Sequence, residues 1–123
     1  MATKRPPHDF GLTGIDHADL LVRDLTKAVR FFTEQMGMSL IASAPAYAVV
    51  QCGEQTLGLR CLAPGSPKPG AQRVALRVNE WLGLRNRVMR SRAVIQDERE
   101  DEAGRTLSLR GPDGLQIDLV WRA

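Results

Sequence analysis

Twice along this chain an alternating run of apolar and polar residues gives way to a stretch of helical spacing, and each time three more strand-like runs follow. Ile15–Val22 alternates as a strand does. Asp24 then stands as a helix N-cap, and Ala28, Phe31, Phe32 and Met36 give Leu25–Met36 one apolar stripe. Gly37 is placed to end that helix in the left-handed conformation. Met38–Ser43 and Tyr47–Cys52 read as strands parted by Pro45, Gly53-Glu54 as a hairpin turn, and Thr56–Leu62 as a strand. Pro64-Gly65-Ser66-Pro67-Lys68-Pro69-Gly70 can continue neither helix nor sheet. The order then repeats: a strand Arg73–Val78, a helix Glu80–Ser91 capped by Asn79, and strands Ala93–Gln96, Thr106–Arg110 and Leu115–Trp121. Trp81, Leu84 and Val88 share one face of the second helix. Asp97–Glu102 reads as a charged turn and Gly111-Pro112-Asp113-Gly114 as a hairpin turn.

The pattern is βαβββ, linker, βαβββ, an internal repeat of roughly 55 residues. It divides the chain into a flexible leader (1–12) and one domain, made of a first module (13–63), a linker (64–71) and a second module (72–122). Side chains alternate across a strand, so position parity assigns faces. One parity of the first and last strands of each module is wholly apolar: Ala18, Leu20, Val22; Leu57, Leu59, Cys61; Val74, Leu76, Val78; Leu115, Ile117, Leu119, Trp121. That set is the face expected beneath the helices, where burial stabilises by about 25 cal/mol per Å². The other parity is mostly polar: His17, Asp19, Leu21; Thr56, Gly58, Arg60; Arg73, Ala75, Arg77; Gln116, Asp118, Val120. It is either an ordinary solvated sheet face or a concave surface that holds a ligand.

Composition narrows the classes without choosing between those two. The chain has 123 residues, 43% hydrophobic and 25% charged, with net charge +3. Aromatics are 5% and the arginines form no dense block, which argues against nucleic-acid binding. No apolar run approaches the roughly 18 residues of a membrane span, and the Lys4-Arg5 leader has no apolar core of a secretory signal. A cytoplasmic location is expected, with Cys52 and Cys61 as reduced, buried thiols.

The residues Ile15-Asp-His-Ala-Asp-Leu-Leu-Val-Arg-Asp-Leu, then Ala28-Val-Arg-Phe-Phe and Met36-Gly, resemble the opening of glyoxalase/bleomycin-resistance/extradiol-dioxygenase proteins, the vicinal-oxygen-chelate superfamily. Arg73-Val-Ala-Leu-Arg-Val looks like the opening of their second module, and Gly111-Pro-Asp-Gly-Leu-Gln-Ile-Asp-Leu like their closing hairpin. The likeness runs from about residue 12 to residue 122. It implies an α+β fold of two tandem βαβββ modules whose curved, cup-shaped mixed sheets carry the helices on the convex face. In metal-using relatives the ligand positions correspond to His17, Gly58, Arg73 and Asp118. All four fall on the polar parity.

These positions depart from a metal site. His17 can ligate, and Asp118 keeps a carboxylate where the family usually has Glu. Gly58 offers no donor, and Arg73 stands where the metal enzymes usually have His. A guanidinium has no acceptor lone pair and brings a positive charge of its own. Asp19 is a possible third donor, and His8 lies in the leader. Arg73 is instead expected to pair with Asp118, its fork of N–H groups replacing the metal's charge. Arg60 and Arg77 share that face, so the cup is net positive when His17 is neutral and favours an anionic ligand. Arg73, Asp118, His17, Arg60, Arg77, Thr56 and Gln116 are the expected ligand-binding residues, while Tyr47 and Trp121 read as packing residues.

Three readings follow. The first is a small-molecule-binding member with a degenerate metal site, acting as a homodimer in which chains complete each other's cups. The second is a glyoxalase- or extradiol-dioxygenase-type enzyme using His17 and Asp118 to hold a single divalent metal (Fe, Mn, Zn or Ni). The third is an accessory chain acting through its interface.

Overall fold

A computed structural model describes residues 11–13, 15–67 and 70–123. Most of the leader, including His8, lies outside the described residues. The elements are β1 (His17–Val22), α1 (Leu25–Arg30), β2 (Ser39–Ala44), β3 (Tyr47–Cys52), β4 (Gln55–Cys61), β5 (Arg73–Arg77), α2 (Trp81–Arg90), β6 (Val94–Asp101), β7 (Gly104–Arg110) and β8 (Gln116–Arg122). They form two four-stranded sheets in the order β1-β4-β3-β2 and β5-β8-β7-β6. β1 runs parallel to β4 and β5 parallel to β8, and the other neighbours are antiparallel. The repeat read from the sequence is therefore the architecture: two βαβββ modules, each a mixed sheet. The register repeats too, with His17 opposite Thr56 in one module and Arg73 opposite Gln116 in the other.

Parity predicts the core. Leu20, Val22, Leu57, Leu59, Leu115, Ile117 and Leu119 are buried in one cluster with Phe31 and Phe32 of the first helical segment and Trp81 and Val88 of α2. Burying each such side chain fully contributes about 1.5–3 kcal/mol. The Phe31 and Phe32 rings meet edge to face, 5.0 Å apart. The apolar set is less evenly covered than expected: Ala18 is exposed, and Val74, Leu76 and Val78 are only half buried. The reason is a seam, because β1 and β5 are both sheet edges and no strand ladder joins them.

Gln72 bridges that seam. Its side-chain amide accepts a hydrogen bond from the Leu21 N–H at 2.9 Å and donates to the Leu21 carbonyl at 2.8 Å, as a strand partner would. Among the described residues two further hydrogen bonds cross between modules. The Arg23 N–H donates to Asp113 Oδ2 at 2.8 Å, and Arg87 Nη2 donates to the Glu34 carbonyl at 3.4 Å.

Some elements differ from expectation. The first helix is α-helical only to Arg30 and continues as a π-helical turn over Phe31–Gln35. Within that stretch the Thr33 hydroxyl donates to the Val29 carbonyl at 2.8 Å, a side-chain bond of the kind that perturbs a helix ladder. Gly37 follows with φ of 77°, as its role predicts. The cap of α2 is Glu80 rather than Asn79, because the longer carboxylate reaches both the Leu82 and Gly83 N–H groups, at 3.2 and 2.8 Å. The charged segment after Gln96 is not a turn but the body of β6. Its charges alternate between faces and find partners: Glu98 with Arg85 of α2, Asp97 with Arg99, and Glu100 with Arg105 across the strand pair. Cys52 is exposed, since it ends β3 beside the Gly53 turn, and Cys61 is half buried. No helix among the described residues is long and apolar enough to cross a membrane.

Candidate functional site

On the face away from the helices, the second module holds one buried carboxylate. Asp118 sits mid-strand in β8, opposite Ala75 of β5 and Ser108 of β7. Its side chain is only 8% exposed, whereas that of its partner Arg73 is 60% exposed. Arg73 Nε donates to Oδ2 at 2.7 Å, and Oδ1 accepts from Ser108 Oγ at 2.7 Å and Gln116 Nε2 at 3.2 Å. Burial pushes the Asp118 carboxyl up, but the bonds from Ser108, Arg73 and Gln116 and the charge of Arg73 outweigh it and hold the group below its usual range. The pairing expected from sequence is thus present. It holds Arg73 through Nε while that side chain stays largely exposed, and a guanidinium has further N–H donors beyond Nε.

The first module places its own carboxylate at the same register from the neighbouring strand. Asp19 of β1 lies opposite Gly58 of β4, as Ala75 lies opposite Asp118. Asp19 Oδ2 accepts from Arg60 Nε at 3.1 Å, and the Arg60 guanidinium lies 4.6 Å over the Tyr47 ring. A side chain on Gly58 would run into the Asp19 carboxylate and come within 3.0 Å of the Tyr47 hydroxyl. Gly58 therefore makes the room that Asp19 fills. His17 Nδ1 lies 2.9 Å from Asp16 Oδ2 and Nε2 lies 3.6 Å from Asp19 Oδ1. The bond to Asp16 raises the His17 pKa above 6.5, partial desolvation opposes it, and the charge of Asp19 adds to the rise.

Five of the seven expected residues fall into two groups. Arg73, Gln116 and Asp118 are joined directly, while His17 and Arg60 are joined through Asp19. Among the described residues no hydrogen bond or ion pair links one group to the other. Thr56 and Arg77 belong to neither; with His17 they border a cleft of about 600 Å³ along the seam, walled by Ala18, Leu57, Val74 and Leu76. Ser108 and Tyr47 were not expected here. Their signal was present in the hairpins: Cys52 opposite Gln55 puts Tyr47 beside Arg60, and the β7–β8 turn puts Ser108 beside Asp118.

The donor set does not fit a metal ion. Both oxygens of Asp118 already accept hydrogen bonds, and Arg73, at another of the family's ligand positions, is itself a cation. Among the described residues no three His, Cys, Asp or Glu side chains gather as a coordination site, so His17 and Asp118 lack a third donor. What the arrangement offers is hydrogen-bond donors and positive charge held in place by carboxylates.

The profile of the Glyoxalase/Bleomycin resistance protein/Dioxygenase superfamily matches residues 14–119. Among solved structures, TnmS3, an antibiotic binding protein from Streptomyces sp. CB03234, superposes with a TM-score of 0.79 at 23% identity, covering 92% of this chain and 98% of that one. Lactoylglutathione lyase from Agrobacterium tumefaciens gives 0.76 at 16% identity, covering 90% and 95%. A glyoxylase/bleomycin resistance protein/dioxygenase domain from Frankia sp. EAN1pec gives 0.76 at 21% identity, covering 92% and 94%. No curated protein matches the sequence.

Proposed function

Since the chain belongs to the glyoxalase/bleomycin resistance protein/dioxygenase superfamily, we propose that it is a binding member of it, one that takes up a small anionic molecule on the polar face of its sheets. The observation that carries this reading is the Arg73–Asp118 fork. A buried carboxylate held by Ser108 and Gln116 fixes an exposed guanidinium whose remaining donors suit a carboxylate or similar oxyanion. Binding needs no more than this, whereas the metal-dependent lyase or dioxygenase reading needs a third ligand that the described residues do not supply. One neighbour in fold is an antibiotic binding protein, which is compatible with a small-molecule-binding role for this chain. His17, Arg60, Arg77 and Thr56 would then border the ligand. The functional unit is a homodimer.

Titration calorimetry with a panel of small aromatic acids and their neutral amides tests this reading. Acids should bind more tightly than amides, and Arg73→Ala should weaken the acids about tenfold or more, the worth of a charge-assisted hydrogen bond. Preference for the neutral compounds would sink the electrostatic reading. Acid binding unaffected by Arg73→Ala would move the site elsewhere.

A further inference from the structure

A second crevice, of about 730 Å³, opens between α1 and its π-helical turn on one side and the start of β6 and the β7–β8 turn on the other. It shares no lining residue with the site described above. Four of its lining residues are cations: Lys27, Arg30, Arg92 and Arg110. Two are anions, Asp24 and Glu34, so the lining carries a surplus of two positive charges.

Both anions are already engaged. Asp24 Oδ1 accepts from the Lys27 N–H at 3.0 Å as the cap of α1, and Glu34 pairs with Arg30 at 3.5 Å. Lys27, Arg92 and Arg110 have no carboxylate partner among the described residues. Three unpaired cations around one concavity repel one another unless a counter-charge enters.

The wall between them is apolar. Phe31, Ala93 and Pro112 line it, and Val94 is 55% exposed there. Gln35, at the same wall, keeps a buried Oε1 with no hydrogen-bond partner among the described residues. Buried polar atoms without partners are uncommon, and a half-turn of the amide exchanges that acceptor for a donor.

We infer that this crevice is a binding site for a small dianion carrying an apolar body, of the aryl or alkyl phosphate class. A phosphate monoester matches the surplus of two charges, accepts from arginine forks at several oxygens, and leaves its organic part to cover Val94 and Pro112. The site is independent of the polar-face ligand proposed above.

Phenyl phosphate is the probe, titrated calorimetrically into the full chain, with benzyl alcohol as the neutral control and inorganic phosphate as the head group alone. In the Arg73→Ala chain, where the polar-face site is removed, one phenyl phosphate should still bind at the crevice, more tightly than inorganic phosphate, while benzyl alcohol does not. Arg92→Glu and Arg110→Glu should each weaken it at least about tenfold. Binding that survives Arg73→Ala and is lost on the Arg92 and Arg110 reversals separates this site from the polar face. The inference is overturned if phenyl phosphate does not bind, if it binds no better than benzyl alcohol, if both charge reversals leave affinity intact, or if Arg73→Ala abolishes it. Should either reversal lose the native circular dichroism spectrum, Arg92→Gln and Lys27→Gln give the same reading with neutral side chains.

Discussion

At the scale of single residues, the candidate site is a matter of which carboxylate oxygen meets which donor. Asp118 is held ionised chiefly because Ser108, Arg73 and Gln116 all donate to it. Its folded pKa lies below the ordinary 3.8, so its contribution to stability is present above that value and is lost as pH falls through the depressed folded value. Ser108→Ala removes a short buried bond to a charged acceptor and should cost about 1.5–3 kcal/mol near neutral pH. It should also move the acid-induced loss of stability to higher pH, because the folded pKa rises toward the unfolded one. Urea unfolding followed from neutral pH downward would read both effects. An acid limb that does not move would mean that Ser108 does not set the ionisation of Asp118. The Arg73–Asp118 pair was legible because the family resemblance sets both at ligand positions on one polar face, where a cation can pair with an acid; the register puts them diagonally, Arg73 opposite Gln116 and Asp118 opposite Ala75. Ser108 and Tyr47 were less legible, since a serine and a lone tyrosine declare no chemistry until the hairpin register is counted out. The exposed Cys52 was misread because burial at a strand end depends on the neighbouring turn and not on residue type.

At the scale of elements, every strand and both helices were legible, because the periodicity of the core face is strong and the turns carry Gly and Pro. What sequence did not show was where an element changes character. The π-helical turn at Phe31–Gln35 preserves the apolar stripe, so hydrophobic spacing alone cannot distinguish it from a continuing α-helix. β6 runs longer than the sequence suggests because the six consecutive charges Asp97–Glu102 read as a turn, although partners for some of them stand on other elements, such as Arg85 and Arg105. The β1–β4 pair gives a test at this scale. Gly58→Ala should push Asp19 off Arg60 and destabilise the chain by about 1–3 kcal/mol, as overpacking does, despite the usual gain from replacing Gly in a strand. Combining it with Asp19→Ala, which recreates the small pair of side chains, should recover part of that loss. Denaturant titrations of the two single variants and the double variant form the cycle, and simple additivity would show that the two residues do not compete for the same space.

At the scale of the whole molecule, the two modules are alike in order and unlike in their outer edges. β2 and β6 occupy equivalent edge positions. Five of the eight residues of β6 are charged, which protects an edge from pairing with other chains. β2 is Ser-Leu-Ile-Ala-Ser-Ala, wholly exposed and uncharged, with Leu40 45% and Ile41 51% open to solvent. An unguarded edge of this kind favours antiparallel pairing of β2 with β2 of a second copy about a two-fold axis. Light scattering coupled to size exclusion should find a dimer at micromolar concentration, and Leu40→Lys with Ile41→Lys should convert it to a monomer that keeps its circular dichroism spectrum. A parent chain that is monomeric, or a variant that remains dimeric, would rule out this edge.

The exchange of acid between strands has a further consequence. A protein built of two matching halves would present a guest with two interchangeable ways of lying down. Here an imidazole at His17 answers to a guanidinium at Arg73, and the acid rises from the first strand of one half but the last strand of the other. On the proposed reading, a guest with unlike ends would have one preferred pose, with its oxyanion toward Arg73, and the reversed pose would set that oxyanion against Asp19.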